Sequence, residues 1–131
     1  MTFYDRFRWA QDLFEHRDYL ATARVLEQLL GDLEDAVEPV RHGLADAREL
    51  LARAYFHTAQ LGRAEVAARA LLADDPTNSY AALLLTRVLR RGSRHQEADH
   101  AAAHAAALGA STTDIGSDTP SDIGTELEVT A

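Results

Sequence analysis

At 131 residues and 14.4 kDa, with 47% hydrophobic side chains, the chain is large enough for one domain with a core and too short for two. A formal net charge of −8 argues against general binding to nucleic acid or anionic lipid, and the absence of cysteine removes disulfides, thiol nucleophiles and thiolate zinc sites. No apolar run is long enough to span a bilayer, and charges interrupt Met1-Thr2-Phe3-Tyr4-Asp5-Arg6-Phe7 where a secretory signal needs an unbroken apolar stretch, so a cytoplasmic, non-membrane protein is expected.

From Phe3 to Leu108 apolar residues recur at helical three-and-four spacing, as in Leu13, Leu20, Leu26, Leu29 and Leu30, and nothing alternates as a strand does. Breaks near His16-Asp18, Gly31-Pro39, Ala59-Gly62, Asp74-Asn78 and Gly92-Ser93 predict six helices, paired as three antiparallel hairpins. Asp74-Asp75-Pro76-Thr77-Asn78 is the sharpest of these signals, because Pro cannot continue a helix interior and Asn before an apolar run caps the next helix. Gly109 is placed to close the sixth helix in the left-handed conformation. All thirteen basic residues are Arg, a bias expected of a GC-rich, bacterial coding genome.

Sliding the chain along itself until Leu51 falls on Leu85 also aligns Ala52 with Thr86, Tyr55 with Leu89, Ala64 with Ala98 and Ala68 with Ala102. The repeat resembles the tetratricopeptide family. Its second copy, 45–78, carries Leu51, Ala52, Tyr55, Ala64, Ala68 and Pro76 at that family's spacings; its third, 79–110, carries Leu85, Leu89, Ala98 and Ala102. The first copy, 3–36, matches with Trp9, Ala10, Leu13, Leu26 and Leu29, and its Asp18-Tyr19 resembles the family's turn between paired helices. It diverges at Thr22, where a small Ala is usual, and an extra segment around Val37-Leu44 separates it from the second copy. That segment is expected to lengthen a flanking helix, with Pro39 in a first turn, or to form a loop. The resemblance implies an all-α solenoid over residues 1–110, in which three stacked hairpins present a concave peptide-binding face.

Residues 111–131 differ in composition. They are rich in Ser, Thr, Asp and Gly and contain Asp114, Asp118, Asp122, Glu126 and Glu128 with no basic residue, so a disordered acidic tail is expected. Asp114-Ile115-Gly116 recurs as Asp122-Ile123-Gly124, as a paired docking element or as chance similarity.

In the family the first helix of each hairpin lines the groove. Matching positions here are Phe7, Gln11 and Phe14, then Glu49, Arg53, Phe56 and His57, then Leu83, Arg87, Arg90 and Arg91. This face runs from aromatic to cationic and suits a segment of another protein carrying acidic and apolar residues, because Arg grips carboxylates with a fixed fork and aromatics supply rigid contact area. The competing reading is a solvated face with Glu49 and Arg53 as an ordinary i,i+4 pair. Arg87 and Arg91, like charges at the same spacing, sit less easily with it. The acidic tail is a second candidate occupant of the groove, weighed against a freely solvated tail.

His100 and His104, with His95 and Asp99 nearby, put two imidazoles on one helix face, but a third zinc ligand and a His-Glu-x-x-His motif are missing, and surface histidines are expected. No partner carboxylate or nucleophile can be assigned to His57, and no phosphate loop or serine elbow is present. The chain therefore reads as a non-catalytic protein-binding adapter without cofactor or metal, and not as a nucleic-acid or membrane binder. The alternative is a self-associating structural protein, a homodimer joined where Ala103, Ala106, Ala107 and the flank of Leu84 and Val88 are left uncovered.

Overall fold

The computed structural model describes residues 2–34 and 43–109. Among them the regular elements are six helices: α1 (Phe3–Glu15), α2 (Tyr19–Glu34), α3 (Leu44–His57), α4 (Leu61–Asp74), α5 (Ser79–Arg91) and α6 (His95–Ala107). The all-α class and the six helices agree with the sequence pattern. The segment expected around Val37-Leu44 falls largely outside the described residues, which resume at Gly43, and the tail from Ser111 falls outside them entirely. No helix among the described residues is long and apolar enough to cross a membrane.

Local chemistry accounts for the helix ends. Thr2 and Asp5 form a capping box on α1: Thr2 Oγ1 accepts from the Asp5 N–H at 3.2 Å, and Asp5 Oδ2 accepts from the Thr2 N–H at 3.3 Å. Hydrogen bonding from the Thr2 side chain, then from the Thr2 N–H, holds the Asp5 carboxyl below its usual range. Asn78 caps α5, as its place before an apolar run predicts, by accepting from the Ala81 N–H at 3.0 Å.

The turns inside the three hairpins are one turn used three times. Arg17, Ala59 and Ser93 adopt positive φ angles of 62°, 59° and 62°. In each turn the left-handed residue donates its N–H to the carbonyl three residues back, and the next residue donates to the carbonyl five back: Arg17 to Phe14 and Asp18 to Leu13, Ala59 to Phe56 and Gln60 to Tyr55, Ser93 to Arg90 and Arg94 to Leu89. None of the three is glycine, so each carries the steric cost of a Cβ in this conformation, about 1 kcal/mol. Ala59→Gly is therefore expected to stabilise the protein by roughly 0.5 kcal/mol, the relief of strain being partly offset by the freer unfolded chain. Urea unfolding checks this; a loss of stability would mean that Ala59 is not strained.

The left-handed residues also fix a structural register, in which Arg17 answers to Ala59 and Ala59 to Ser93, the first interval being the longer. Side chains follow it. Arg6 pairs with Asp32 at 2.9 Å, and their equivalents Arg48 and Asp74 pair at 2.8 Å. The third equivalents, Ala82 and Leu108, lie in one apolar cluster. Exposed ion pairs contribute little stability, but their recurrence marks the same contact in two successive hairpins.

Each helix packs on the next along the chain. In addition the backbones of α1 and α3, and of α3 and α5, approach closely, whereas among the described residues the even-numbered helices meet through side chains, as in Arg63–Glu27 and Arg69–Glu97. Small residues make the tight contacts within hairpins: Ala10, Ala52 and Thr86 share one register position and Thr22, Ala64 and Ala98 another, and all six are buried. Thr22 fills the alanine position by turning its hydroxyl into the helix, Oγ1 donating to the Asp18 carbonyl at 2.8 Å. At Gly43, N-terminal to α3, φ is +82° and a Cβ would lie 2.9 Å from the Phe3 ring, so both backbone and space require glycine where α1 meets α3.

Two features depart from the sequence pattern. Trp9 occupies the register of Leu51 and Leu85 yet is 48% exposed. Leu85 packs against Ala68 of the preceding hairpin, and Leu51 against the cluster of Leu26 and Leu29; no described hairpin precedes α1 to cover Trp9. Leu84 and Val88 were expected at an uncovered end, but both are 2% exposed and cluster with Ala52, Tyr55, Ala64 and Leu71. This flank of an odd-numbered helix faces the preceding hairpin, not the following one. Ala103, Ala106 and Ala107 are exposed.

One ion network joins α4 to α6. Arg94 reaches Glu65 and Glu97, and Arg69 lies 2.9 Å from Glu65 and 3.6 Å from Glu97. The hydrogen bond from Arg94, then that from Arg69, holds the Glu65 carboxyl below its ordinary value of 4.5. A lowered folded-state value means stability that is complete above pH 4.5 and is lost as pH falls through the lower folded value. Glu65→Gln should cost about 1 kcal/mol at pH 7 and less at pH 2. Urea midpoints of the two proteins at both pH values test this; an equal gap at both would remove the ionised carboxylate as the cause.

Candidate functional site

Aromatic and cationic side chains from the carboxy-terminal parts of α1 and α3 and from the two ends of α5 converge through Arg53, which reaches Phe14 and Tyr80, and Phe56, which meets Arg91. The Arg53 guanidinium carbon lies 4.5 Å from the centre of the Phe14 ring and 5.8 Å from that of Tyr80, so one cation of α3 bridges aromatics of α1 and α5. Arg91 stands 4.9 Å above the Phe56 ring, and its Nη1 donates to the Phe56 carbonyl at 3.5 Å.

His57 closes the group. Its ring stacks on Tyr19 at 4.3 Å with 13° between planes, and meets Phe14 and Phe56 edge-on at 5.5 and 5.7 Å. Phe14 and Tyr19 meet at 5.0 Å, also edge-on. The result is a connected wall of Phe14, Tyr19, Phe56, His57 and Tyr80 with two stacked guanidinium groups.

Arg87 occupies the register of Arg53 one repeat further on, and the two stand on neighbouring helices α3 and α5. It is 9% exposed, within the run Ala81–Leu89 in which every residue of α5 is buried. Leu83, one turn earlier, clusters with Ala82, Ala105, Tyr80 and Leu108. Glu49 is half-buried on the same side of α3.

Thus Phe14, Arg53, Phe56, His57 and Arg91 meet directly, and Leu83 joins them through the cluster it shares with Tyr80. Glu49 and Arg87 stand one turn and one repeat from Arg53, and the three other expected residues lie elsewhere. Phe7 turns into the apolar cluster of Ala10, Leu26 and Leu50, its ring 6.0 Å from Phe3. Gln11 is exposed. Arg90 faces α6, 3.9 Å from Asp99. Two members were not anticipated: Tyr19, read only as part of a turn, and Tyr80. The signal that could have found Tyr80 was the repeat itself, since Tyr4 holds the same register in the first hairpin.

The geometry suits anion recognition. A guanidinium lying on a ring is held in one plane, which orients its N–H edge for a carboxylate and reduces the rotamer freedom lost on binding. Each charge-assisted hydrogen bond of this kind is worth roughly 1.5–3 kcal/mol.

Away from this wall, a cleft of about 770 Å³ lies between α4 and α6 with Leu85 and Leu89 of α5 in its wall; His100, His104, Arg69 and Glu97 also line it. Arg69 and Glu97 belong to the ion network, and His104 Nε2 lies 3.1 Å from the Pro76 carbonyl. Among the described residues no three His, Asp or Glu side chains are grouped so as to hold a metal ion. Comparison with protein-family models and with curated proteins finds no match for this chain.

Proposed function

We propose that the chain is a tetratricopeptide-type solenoid of three hairpins, acting in the cytoplasm as a non-catalytic adapter, and that the aromatic wall with Arg53 and Arg91 binds an acidic and apolar segment of another protein. The solenoid reading is supported by the thrice-used turn, the recurring Arg–Asp pair and the closer backbone approach among odd-numbered than among even-numbered helices. When one set of alternate helices lies closer together than the other, the stack curves toward that set, so α1, α3 and α5 form the inner side.

The observation that carries the binding reading is Arg53 stacked on Phe14 and bordered by Tyr80. It joins three successive odd-numbered helices and presents a fixed cation beside flat apolar rings. A carboxylate of the partner pairs with the guanidinium edge while a neighbouring Leu, Ile or Phe lies on the rings. Anchors of this kind, aromatic and Arg together, dominate interface energetics.

Titrating the full chain with a peptide of alternating Asp and Leu, and with its Lys–Leu counterpart, tests the reading by NMR. The acidic peptide is expected to shift the resonances of Phe14, Phe56, His57 and Tyr80, less so as salt rises. Equal response to both peptides, or shifts confined to the cleft between α4 and α6, would overturn it.

A further inference from the structure

The described chain ends beside the aromatic wall. Leu108, which caps α6, packs in one cluster with Tyr80 and Leu83, and Tyr80 borders the Arg53 guanidinium. Gly109 follows in the left-handed conformation, φ +84°, and ends the helical path there. Residues 110–131 therefore leave the described structure at one edge of the aromatic wall and carry five carboxylates without a basic residue. The wall carries Arg53 and Arg91.

We propose that residues 110–131 occupy this face as an intramolecular competitor of the protein partner, setting their carboxylates on the arginines and Ile115 or Ile123 on the rings. The proposal rests on the peptide-binding reading and adds its regulation. Three quantities support it. A coil of this length spans about 25 Å, several times the distance from the Tyr80 ring to Arg53. Tethering supplies an effective concentration of about 1 mM, so a contact of only about 0.1 mM affinity is roughly nine-tenths formed and weakens an added peptide about tenfold. The charges are complementary in sign, and exposed pairs of this kind are screened beyond about 8 Å at physiological salt.

The cysteine-free chain permits a direct test. A nitroxide placed through Ser121→Cys in the full chain is expected to broaden the Phe14, Phe56 and Tyr80 resonances more than those of His100 in the cleft between α4 and α6. Carrying Asp114→Asn, Asp118→Asn, Asp122→Asn, Glu126→Gln and Glu128→Gln together should remove that preference and tighten the Asp–Leu peptide about tenfold. Broadening that favours His100, that is uniform, or that survives neutralisation would overturn the proposal. Where one of those overturning patterns is seen but the neutralised protein binds the peptide at the aromatic wall no tighter than the parent, only the tail's role falls. If neither protein binds it there, the peptide-binding reading falls with it.

Discussion

Ala64→Phe and Ala98→Phe are each expected to destabilise the protein by about 1–3 kcal/mol. Both alanines are fully buried, Ala64 in the cluster of Ala52, Tyr55 and Leu71, Ala98 against Ala68, Leu85 and Leu89. A phenyl ring at either place cannot reach solvent without parting two helices that approach through small residues, so it must force off-rotamer neighbours or shift the backbone. Arg63→Ala is the control: its side chain is 65% exposed, and its 3.6 Å pairing with Glu27 is of the kind that contributes little. Thermal unfolding followed by circular dichroism should show a midpoint lowered by about 4 °C or more for each Phe variant and nearly unchanged for Arg63→Ala. Two Phe variants with the parent midpoint would refute the register on which the hairpins are built.

That register was legible because it rests on size. A repeated small residue leaves a mark in sequence, and the shift that aligns Ala64 with Ala98 is the same shift that relates Ala59 to Ser93 in space. Helix ends were legible where side-chain chemistry sets them, as at Asn78. The left-handed turns were harder, because Arg17, Ala59 and Ser93 give no glycine signal and are recognisable only from the end of the periodic pattern. What periodicity could not supply was the direction in which each apolar flank faces. Leu84 and Val88 form a flank under either assignment, and only the packing of α5 onto α3 and α4 decides that the preceding hairpin covers it.

Tyr55 shows how a buried side chain combines both kinds of information. Its place in the repeat predicts a core residue, and it is 8% exposed. Its hydroxyl nevertheless donates to Glu27 Oε2 at 2.5 Å across the boundary between the first two hairpins. Burial, and then the bond to Glu27, push the phenol up to about 12. The partner comes from the preceding hairpin, beyond any local pattern.

The candidate site was legible as a face and not as a contact set. Helical spacing separates Arg53 from Ala52 and Ala54 reliably, since the alanines must face the core. It cannot say that Arg53 lies on Phe14 of α1, in a different hairpin, or that Arg90 bends toward Asp99 while Arg91 stacks on Phe56. Adjacent arginines at the end of one helix point in directions about 100° apart, and their environments, an acidic neighbour on α6 and a ring on α3, separate them further.

Substitutions at Arg53 should have the largest effect on binding. Arg53→Glu places a carboxylate where the proposed partner brings its own, replacing attraction by repulsion, and is expected to weaken the Asp–Leu peptide by a factor of about 100 or more, about 2.7 kcal/mol. Arg53→Lys keeps the charge but loses the planar group that lies on Phe14 and the fork that grips both carboxylate oxygens, so a loss of about tenfold is expected. The order Arg, Lys, Glu distinguishes a stacked anion site from simple charge attraction, in which Lys would equal Arg. It also separates binding from folding, since Arg53 is half-buried and outside the alanine contacts, so the thermal midpoint should fall less for Arg53→Lys than for Ala64→Phe. Calorimetric titration of the three folded proteins at fixed salt reads the order directly. Equal affinities for all three would remove Arg53 from the site and with it the observation on which the functional reading stands.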